Sequence, residues 1–163
     1  MILAATSSPQ GTQALAAALS AEMRVGDLIV LAGDLGAGKT CFTQGMGAGL
    51  GITERMTSPT FTLINRYDQG RIELNHLDVY RLDDIAETLD LDLPELLEVG
   101  LTVIEWGEEI TEVLPVDHLT IRLRYPESVE GADDGRIIQI EAGGPTWDVR
   151  LPDLAAAIEG WVA

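Results

Sequence analysis

The stretch GDLGAGKT, residues 33–40, most constrains what this chain can fold into. It matches the pattern G-x-x-x-x-G-K-[ST], in which glycines let backbone N–H groups close around phosphate oxygens and a lysine adds positive charge. The preceding residues, Leu28–Ala32 (LIVLA), form a continuous apolar run typical of a strand buried on both faces. A helix is expected from Lys39 to about Leu50, with its positive N-terminal end directed at the same anion. Strand, loop and helix together predict a P-loop that holds the phosphates of a nucleotide.

Lys39 is the only lysine in the chain, and the overall charge makes it informative. The 163 residues include 27 acidic and 10 basic side chains, which gives a net charge of −17. Such a surface repels nucleic acids, which proteins normally bind through basic patches, and it disfavours anionic membranes. A guanine-reading Asn-Lys-x-Asp motif is excluded, because the single lysine already belongs to the P-loop.

Length and composition fit one ordinary globular domain spanning residues 1–163. None of the apolar runs approaches the length of a membrane span. The start, MILAATSSPQ, lacks the basic region and long apolar core of a secretory signal. Cys41 is the single cysteine, so an internal disulfide is impossible. We therefore expect a cytoplasmic protein that does not associate with membranes.

Helices are indicated at both ends of the chain and in its acidic middle. Ser8 is suited to cap a helix with Pro9 at its first position, ending before Gly26. Its apolar face is predicted to contain Leu15, Leu19 and Met23. The acidic segment 82–100 is typical of two short helices separated near Pro94. A closing helix opened by Pro152 is predicted to bury Leu154, Ile158 and Trp161.

Short apolar or alternating runs between turn residues predict the strands. Two of them flank the tight turn Asp68-Gln69-Gly70 and should form a hairpin, and the last two should form another. Besides Leu28–Ala32, the predicted strands are Met1–Ala5, Phe61–Tyr67, Arg71–Asp78, Leu101–Ile104, His118–Tyr125 and Ile137–Glu141. The expected fold is therefore α/β, a P-loop NTPase-like three-layer domain with a mixed parallel and antiparallel central sheet.

A P-loop that uses a metal needs a carboxylate beyond the loop itself. Glu105 ends an apolar strand in TVIEWGEE, where it could face a Mg²⁺ that also contacts the Thr40 hydroxyl. Asp78 ends another strand in NHLDVYRL and is the alternative metal ligand. The residues themselves leave this choice open: one acid is expected to serve the metal and the other to orient an attacking water.

Several other polar residues receive an interpretation from their position. Ser58–Leu63 (SPTFTL) lies where P-loop folds often place a segment sensitive to the γ-phosphate, and Thr60 and Ser58 supply hydroxyls there; an ordinary strand entry is the alternative. His76 and His118 are isolated, so we interpret both as structural. With Cys41 lacking a partner, neither a zinc site nor a Cys/His nucleophile is supported.

GDLGAGKT, SPTFTL, HLDVYRL and VIEWGEE, in this order, closely resemble the bacterial TsaE family. The resemblance covers about residues 8–142, and the ordered combination is far more specific than the P-loop alone. That family is the ATPase component of the machinery that makes threonylcarbamoyladenosine beside the tRNA anticodon. The resemblance implies partners, the TsaB and TsaD proteins, to which the family's ATPase docks, without direct strong binding of tRNA.

The same resemblance implies a set of site residues. ATP and Mg²⁺ would bind the loop from Gly36 through Ala37, Gly38, Lys39 and Thr40 to Cys41, with Thr40 and Glu105 at the metal. Lys39, Asp78 and Glu105 would be catalytic, and Thr60, Asp78, Trp106 and Arg136 would lie at the nucleotide. The segment Ser8–Thr12 would lie near adenine. Cys41 departs from the serine or threonine usual at its position, and residues after 142 match no family pattern.

Two other functions fit a P-loop of this size. A small-molecule kinase would need an acceptor pocket and an arginine-bearing lid, and the acidic, arginine-free stretch 83–98 argues against a lid there. A non-catalytic binding module gated by nucleotide would bind its partners under ATP control without needing the chemistry of Asp78 or Glu105. ATP hydrolysis on behalf of a tRNA-modifying complex remains the preferred interpretation.

Overall fold

The structure is a computed structural model, and it describes residues 1–59, 63–80, 92–127 and 134–163. Its strands form a seven-stranded sheet in the order β1-β7-β6-β2-β5-β4-β3. The strands are β1 (Ile2–Thr6), β2 (Leu28–Ala32), β3 (Ile64–Tyr67), β4 (Glu73–Asp78), β5 (Gly100–Glu105), β6 (Leu119–Arg124) and β7 (Arg136–Ala142).

The centre of the sheet is parallel and its outer strands are antiparallel. β2 runs parallel to both β5 and β6, and β5 runs parallel to β4. The pairs β3–β4, β6–β7 and β7–β1 are antiparallel. The predicted mixed sheet and both predicted antiparallel pairs are therefore confirmed.

Helices cover the sheet from both sides. They are α1 (Pro9–Ser20), α2 (Lys39–Gly49), α3 (Leu93–Val99), α4 (Pro145–Asp148) and α5 (Leu151–Ala157), with 3₁₀ segments at Gly107–Val113 and Glu159–Trp161. One core cluster joins α1, α2 and α5 to the first face, and a second joins α3 and the 3₁₀ segment Gly107–Val113 to the other. β2 supplies both: Ile29 and Leu31 to the first cluster, Leu28 and Val30 to the second. The three-layer α/β fold is thus confirmed, with β2 buried on both faces as its sequence predicts.

Element boundaries differ from the sequence predictions in physically instructive places. Ser8 caps α1 as expected, its side chain accepting from the Gly11 N–H at 3.0 Å. The helix ends at Ser20, so placing Met23 within it was wrong, although Met23 is still buried. β3 begins at Ile64, because Leu63 has φ +65° and cannot continue an extended strand. The earlier part of the predicted strand, residues 61–62, lies outside the described residues.

Arg71 was predicted as the first residue of β4, and this was wrong. Its guanidinium donates instead to the carbonyls of Ser20 and Met23, at 2.8 and 3.0 Å. Its backbone N–H donates to the carbonyl of Leu50 at 2.7 Å. The ends of α1 and α2 therefore hold Arg71, and the strand begins at Glu73.

The C-terminal segment is fastened to the rest of the chain by a buried ion pair. Arg150, which is 6% exposed, donates to both carboxylate oxygens of Asp27 at 2.7 and 2.8 Å and to the carbonyl of Glu22 at 2.5 Å. Its guanidinium also stacks over the buried Trp147 ring, 4.2 Å from the centroid. Nothing in the periodicity of the sequence indicates that residues this far apart pair.

Breaking this ion pair should destabilise the fold. We expect Arg150→Ala to lower the free energy of unfolding by about 3–5 kcal/mol, because Asp27 would keep a buried, uncompensated charge. Urea unfolding followed by circular dichroism measures the loss. Asp153→Ala, an exposed site in the next helix, is the matched control and should change stability by less than about 0.5 kcal/mol. Equal effects of the two substitutions would contradict a stabilising role for the pair.

Among the described residues, no helix is long and apolar enough to cross a membrane.

Candidate functional site

The glycine-rich loop lies between β2 and α2, at the carboxyl edge of the parallel strands. Gly33, Gly36 and Gly38 have φ of +137°, +78° and +106°, a region that strongly favours glycine. At Gly33 a Cβ would also collide with the carbonyl oxygen of Leu123 on the neighbouring strand β6. These conformations turn the loop back toward the first turn of α2, where unpaired backbone N–H groups favour an anion.

Lys39, the first residue of α2, is buried. Its ammonium donates to the carbonyls of Gly33 and Asp34 at 2.6 and 2.9 Å. It also lies 3.7 Å from the centroid of the Trp106 ring, a cation–π contact. Burial lowers the pKa of Lys39 from its ordinary value, and the nearby carboxylates of Glu105, Glu108, Asp78 and Asp34 partly oppose this. The single lysine is therefore fixed at the mouth of the loop.

Glu105, the last residue of β5, is buried and receives two side-chain hydrogen bonds on one oxygen. The Thr40 hydroxyl donates to its Oε1 at 2.8 Å. His76 Nε2 lies 2.8 Å from the same Oε1, so the proton of the imidazole belongs on Nε2. Within the described residues the second oxygen, Oε2, has no hydrogen-bond partner and remains available to a ligand. The structure thus joins the two predicted metal-binding residues, Thr40 and Glu105, directly.

Asp78 lies beside Glu105, because the two residues pair in register across β4 and β5. Its Oδ2 accepts from the Ser58 hydroxyl at 3.2 Å, and its Oδ1 accepts from the N–H of Tyr80 at 3.0 Å. Both acids that the sequence offered for the metal therefore occupy one edge of the site. Their contacts differ: Glu105 touches Thr40 of the loop, whereas Asp78 holds the segment that contains Ser58.

Trp106 follows β5 directly and has an unusual backbone conformation. Its φ of +63° is left-handed, which is strained for an aromatic residue. Its N–H donates to the carbonyl of Leu31 at 3.1 Å, which fixes the turn against β2. The indole packs on Tyr80 with 4.7 Å between ring centroids and on the ammonium of Lys39. The strained turn thus points the indole at the loop.

A cavity of about 510 Å³ unites these groups. Its lining consists of Leu35, Gly36, Gly38, Lys39, Thr40, Cys41, Ser58, Asp78, Tyr80, Glu105 and Trp106. Of the predicted site residues, Ala37 is buried behind the loop, Arg136 lies on its outer side, and Thr60 falls outside the described residues. The remaining predicted residues are brought together around one space.

Arg136, the first residue of β7, and Tyr125, which directly follows β6, hold the loop from the neighbouring strands. Arg136 donates to the carbonyls of Ala37 at 2.7 Å and of Gly36 at 3.4 Å, and the Tyr125 hydroxyl donates to the Gly36 carbonyl at 2.9 Å. The Arg136 guanidinium also stacks 4.3 Å from the centroid of Tyr125. A smaller hollow of about 220 Å³ beside these contacts is lined by Pro9, Thr12, Gly36, Ala37, Gly38, Cys41, Asp134 and Arg136. Part of the Ser8–Thr12 segment thus lies next to the loop.

Cys41 belongs to both spaces. Its thiol lies 3.5 Å from the carbonyl of Pro9. Burial raises the pKa of the Cys41 thiol, and this outweighs the opposing effects of Arg136 and Gln13. A thiol with a raised pKa is a poor nucleophile at neutral pH. This favours a passive role for the side chain and agrees with the absence of a partner for it in the sequence.

The residues of the site suit a magnesium ion that a nucleotide helps to coordinate. They suit less well a metal ion that is coordinated by protein side chains alone. Among the described residues, no group of three or more His, Cys, Asp or Glu side chains could hold a metal. Mg²⁺ bound with a nucleotide typically takes one or two protein oxygens and completes its coordination with phosphates and water. The Thr40 hydroxyl and the open Oε2 of Glu105 are suitable oxygens of this kind. The donor set is therefore compatible with Mg²⁺ that arrives with a nucleotide.

Sequence reasoning missed several side chains that the structure places at the site. His76 was interpreted as structural, yet it is 1% exposed and contacts Glu105. Glu108 accepts from the Gly33 N–H at 3.3 Å, Tyr80 packs on Trp106 at the cavity, and the Tyr125 hydroxyl contacts the loop at Gly36. A usable signal existed for His76: it lies two residues before Asp78, on the same side of a predicted strand.

Comparisons with known proteins agree on one family. A family model described as "Threonylcarbamoyl adenosine biosynthesis protein TsaE" matches residues 6–132. The Bacillus subtilis protein named tRNA threonylcarbamoyladenosine biosynthesis protein TsaE is 40% identical over 150 residues, 92% of this chain and 91% of that protein. A Nostoc protein of the same name is 44% identical over 133 residues, 78% of this chain and 80% of its own length. The crystal structure of YdiB from Bacillus subtilis matches with a TM-score of 0.79 and 35% identity, covering 96% of this chain and 97% of that one.

Proposed function

We propose that this chain, which belongs to the TsaE family of tRNA threonylcarbamoyladenosine biosynthesis, is an ATPase that acts on a complex of TsaB and TsaD. The observation that carries the ATPase proposal is the hydrogen bond from Thr40 to Glu105 at the floor of the cavity, beside the ammonium of Lys39. A hydroxyl at the start of a P-loop helix and a strand-end carboxylate are the two protein oxygens that a Mg²⁺–nucleotide needs.

Each residue then has a defined task. The N–H groups of the loop and the ammonium of Lys39 bind the phosphates and offset the charge that develops during phosphoryl transfer. When bound, Mg²⁺ would be held by Thr40 and Glu105 and would neutralise charge on the β- and γ-phosphates. Asp78 would orient the attacking water and accept its proton, while Ser58 and the Tyr80 N–H hold the carboxylate in position.

The proposal that protein partners, and not tRNA, bind this chain directly is supported by its charge. At a net charge of −17, a long phosphate backbone is repelled over most of the surface. A role in a tRNA modification then requires proteins between this chain and the tRNA. TsaB and TsaD are the partners that family membership suggests.

The function is tested by measuring partner binding and ATP turnover together. The chain is mixed with TsaB and TsaD in the presence of ATP, ADP or a non-hydrolysable ATP analogue, and co-purification is scored. We expect association that depends on the nucleotide and phosphate release that rises when the partners are present. Association that ignores the nucleotide, with no phosphate release, would be incompatible with the proposal.

His76 is expected to position Glu105 for the metal. His76→Leu removes the hydrogen bond to Oε1 with little change in volume, so Glu105 loses one of the two contacts that fix it. We expect the Mg²⁺ concentration required for half-maximal ATP turnover to rise by about tenfold or more, as for other residues that orient metal ligands. A titration of turnover with Mg²⁺, and of fluorescent nucleotide binding with Mg²⁺, measures the change.

Two control variants separate positioning from packing. His76→Gln retains an amide N–H where Nε2 lies and should restore most of the Mg²⁺ response. His118→Leu alters the other histidine, which is half-buried and contacts the carbonyl of Pro115 away from the cavity. It should leave the Mg²⁺ response unchanged. If His76→Leu and His118→Leu behaved alike, the positioning role would be wrong.

A further inference from the structure

One half of the central sheet has a face that none of the described helices covers. The buried residues of β1, β6 and β7 alternate along each strand and belong to the first core cluster. Their intervening side chains face the other side, where none of the described residues of the second cluster comes from these three strands. Leu3 is 42% exposed there, and Ala5 and Arg124 are exposed as well. We call this surface the open face.

Two arginines form one border of the open face. Arg122 pairs with Gln139 and Arg124 with Ile137 across β6 and β7, and Gln139 lies in turn opposite Leu3 of β1. The row from Arg124 continues to Ile137 and Ala5, which are apolar. The row from Arg122 reaches Leu3 through Gln139, a polar side chain that donates to Glu141 at 2.7 Å. Within the described part of the chain, hydrogen bonds or ion pairs engage Arg66, Arg71, Arg136 and Arg150 but neither Arg122 nor Arg124. Arg24 and Arg55 also lack a side-chain partner among the described residues, so the distinguishing feature of Arg122 and Arg124 is that they lie two residues apart on one strand, on the same face of the sheet.

The arginine border ends in a hollow beside the glycine-rich loop. Its volume is about 280 Å³, and it is lined by Gly33, Asp34, Arg122, Leu123, Arg124 and Tyr125. Gly33 and Asp34 are the residues whose carbonyls hold the ammonium of Lys39. A group that enters this hollow therefore touches the same loop segment as the lysine.

From these contacts we infer that the open face is a docking surface for a protein partner, and that its occupant is an acidic segment carrying apolar side chains. Carboxylates would pair with Arg122 and Arg124, and the apolar residues would cover Leu3 and Ile137. Arginine favours such pairing because its planar guanidinium binds carboxylates through two parallel hydrogen bonds. The inference rests on the proposed function, because it takes the TsaB–TsaD complex as the protein that supplies the segment.

Arginine side chains bind phosphates as well as carboxylates. The charge of the surrounding surface therefore distinguishes a nucleic acid from an acidic protein segment. A nucleic acid brings many phosphates, and beyond the two arginines it would meet a surface of net charge −17. A short acidic peptide places only a few carboxylates at the border and apolar groups beyond it. The apolar part of the open face thus favours a protein segment over a polyanion.

Charge reversal tests the surface with a matched control. Arg122→Glu/Arg124→Glu alters the open face, and Arg24→Glu/Arg55→Glu changes the net charge equally at two other exposed arginines without side-chain partners in the described residues. We expect the first variant to bind the TsaB–TsaD complex at least about tenfold more weakly than the unmodified chain, and the second to stay within about twofold. Binding of a fluorescent ATP analogue to each isolated variant, which should match that of the unmodified chain, shows that the fold is retained. Arg122→Gln/Arg124→Gln should give an intermediate loss and replaces the reversal if that variant fails to fold.

Each of the other outcomes would contradict the inference that the open face binds the partner. Equal binding of the two charge-reversed variants would overturn the inference while leaving the proposed function intact. If the unmodified chain itself failed to bind TsaB–TsaD, the proposed function and the inference would fall together. A loss confined to samples containing tRNA would assign the arginines to phosphate. A loss of self-association in sedimentation, with partner binding unchanged, would assign the face to a second copy of the chain.

Discussion

Lys39→Ala should abolish productive ATP binding and turnover. The substitution removes the side chain of the only lysine in the sequence. The other charged residues that line the described cavity, Asp78 and Glu105, are carboxylates. We expect ATP turnover in the presence of partners to fall by about a hundredfold or more, as when a preorganised electrostatic contact to a transition state is deleted. Affinity for ATP should fall as well, by about tenfold or more, because the charge also contacts the ground-state phosphates. Equilibrium binding and phosphate release measure the two effects separately.

The control for Lys39→Ala must show that the loop still folds. In the structure the ammonium holds the carbonyls of Gly33 and Asp34 and stacks on Trp106, so its removal could loosen the loop. Lys39→Arg keeps the positive charge, but its planar guanidinium cannot take the place of a compact ammonium group. This variant should therefore fold and lose most of its ATP turnover. Unfolding midpoints of both variants should stay close to that of the unmodified chain. If Lys39→Ala retained full ATP turnover, the ATPase proposal would be wrong.

The sequence predicted the loop and its surroundings because local chemistry determines them. LIVLA can be buried on both sides only as a central strand, and the glycines at 33, 36 and 38 require conformations that other residues resist. The alternation in His118–Tyr125 likewise predicted that Leu119, Ile121, Leu123 and Tyr125 share one face. The first three are buried in β6, whereas Tyr125 lies beyond the end of the strand and is exposed. These features depend on residues close in sequence, so their order alone carries the information.

What the sequence could not predict depends on register and on distant pairs. Asp78 and Glu105 are rivals for one role in the sequence, and only the parallel pairing of β4 with β5 shows that they lie side by side. The contact of His76 with Glu105 follows from the same register. Arg150 and Asp27 are separated by most of the chain, and their pairing depends on where the C-terminal helices pack. Such contacts are products of the tertiary fold, and periodicity does not encode them.

Glu105→Gln should separate nucleotide binding from its hydrolysis. The amide keeps the shape of the side chain and can still accept from the Thr40 hydroxyl, but it loses the negative charge that favours a metal ion. We expect ATP turnover to fall by about a hundredfold, since both the metal ion and its placement contribute to phosphoryl transfer. Binding of ATP without Mg²⁺ should persist, because Lys39 and the loop are unchanged. The signature is therefore a lost Mg²⁺ response, measured by nucleotide affinity with and without the metal.

Glu108→Gln is the matched control for this substitution, because Glu108 is also a carboxylate close to Lys39 but contacts the Gly33 N–H and not Thr40. Both variants remove one negative charge near the lysine, so any general electrostatic effect on ATP binding should appear in both. Only Glu105→Gln should lose the Mg²⁺ response, because only Glu105 shares a hydrogen bond with the Thr40 hydroxyl. If Asp78→Asn lost the Mg²⁺ response and Glu105→Gln kept it, the roles of the two strand-end acids would have to be exchanged. The loop would keep its nucleotide in that case, and β4 would supply the metal ligand.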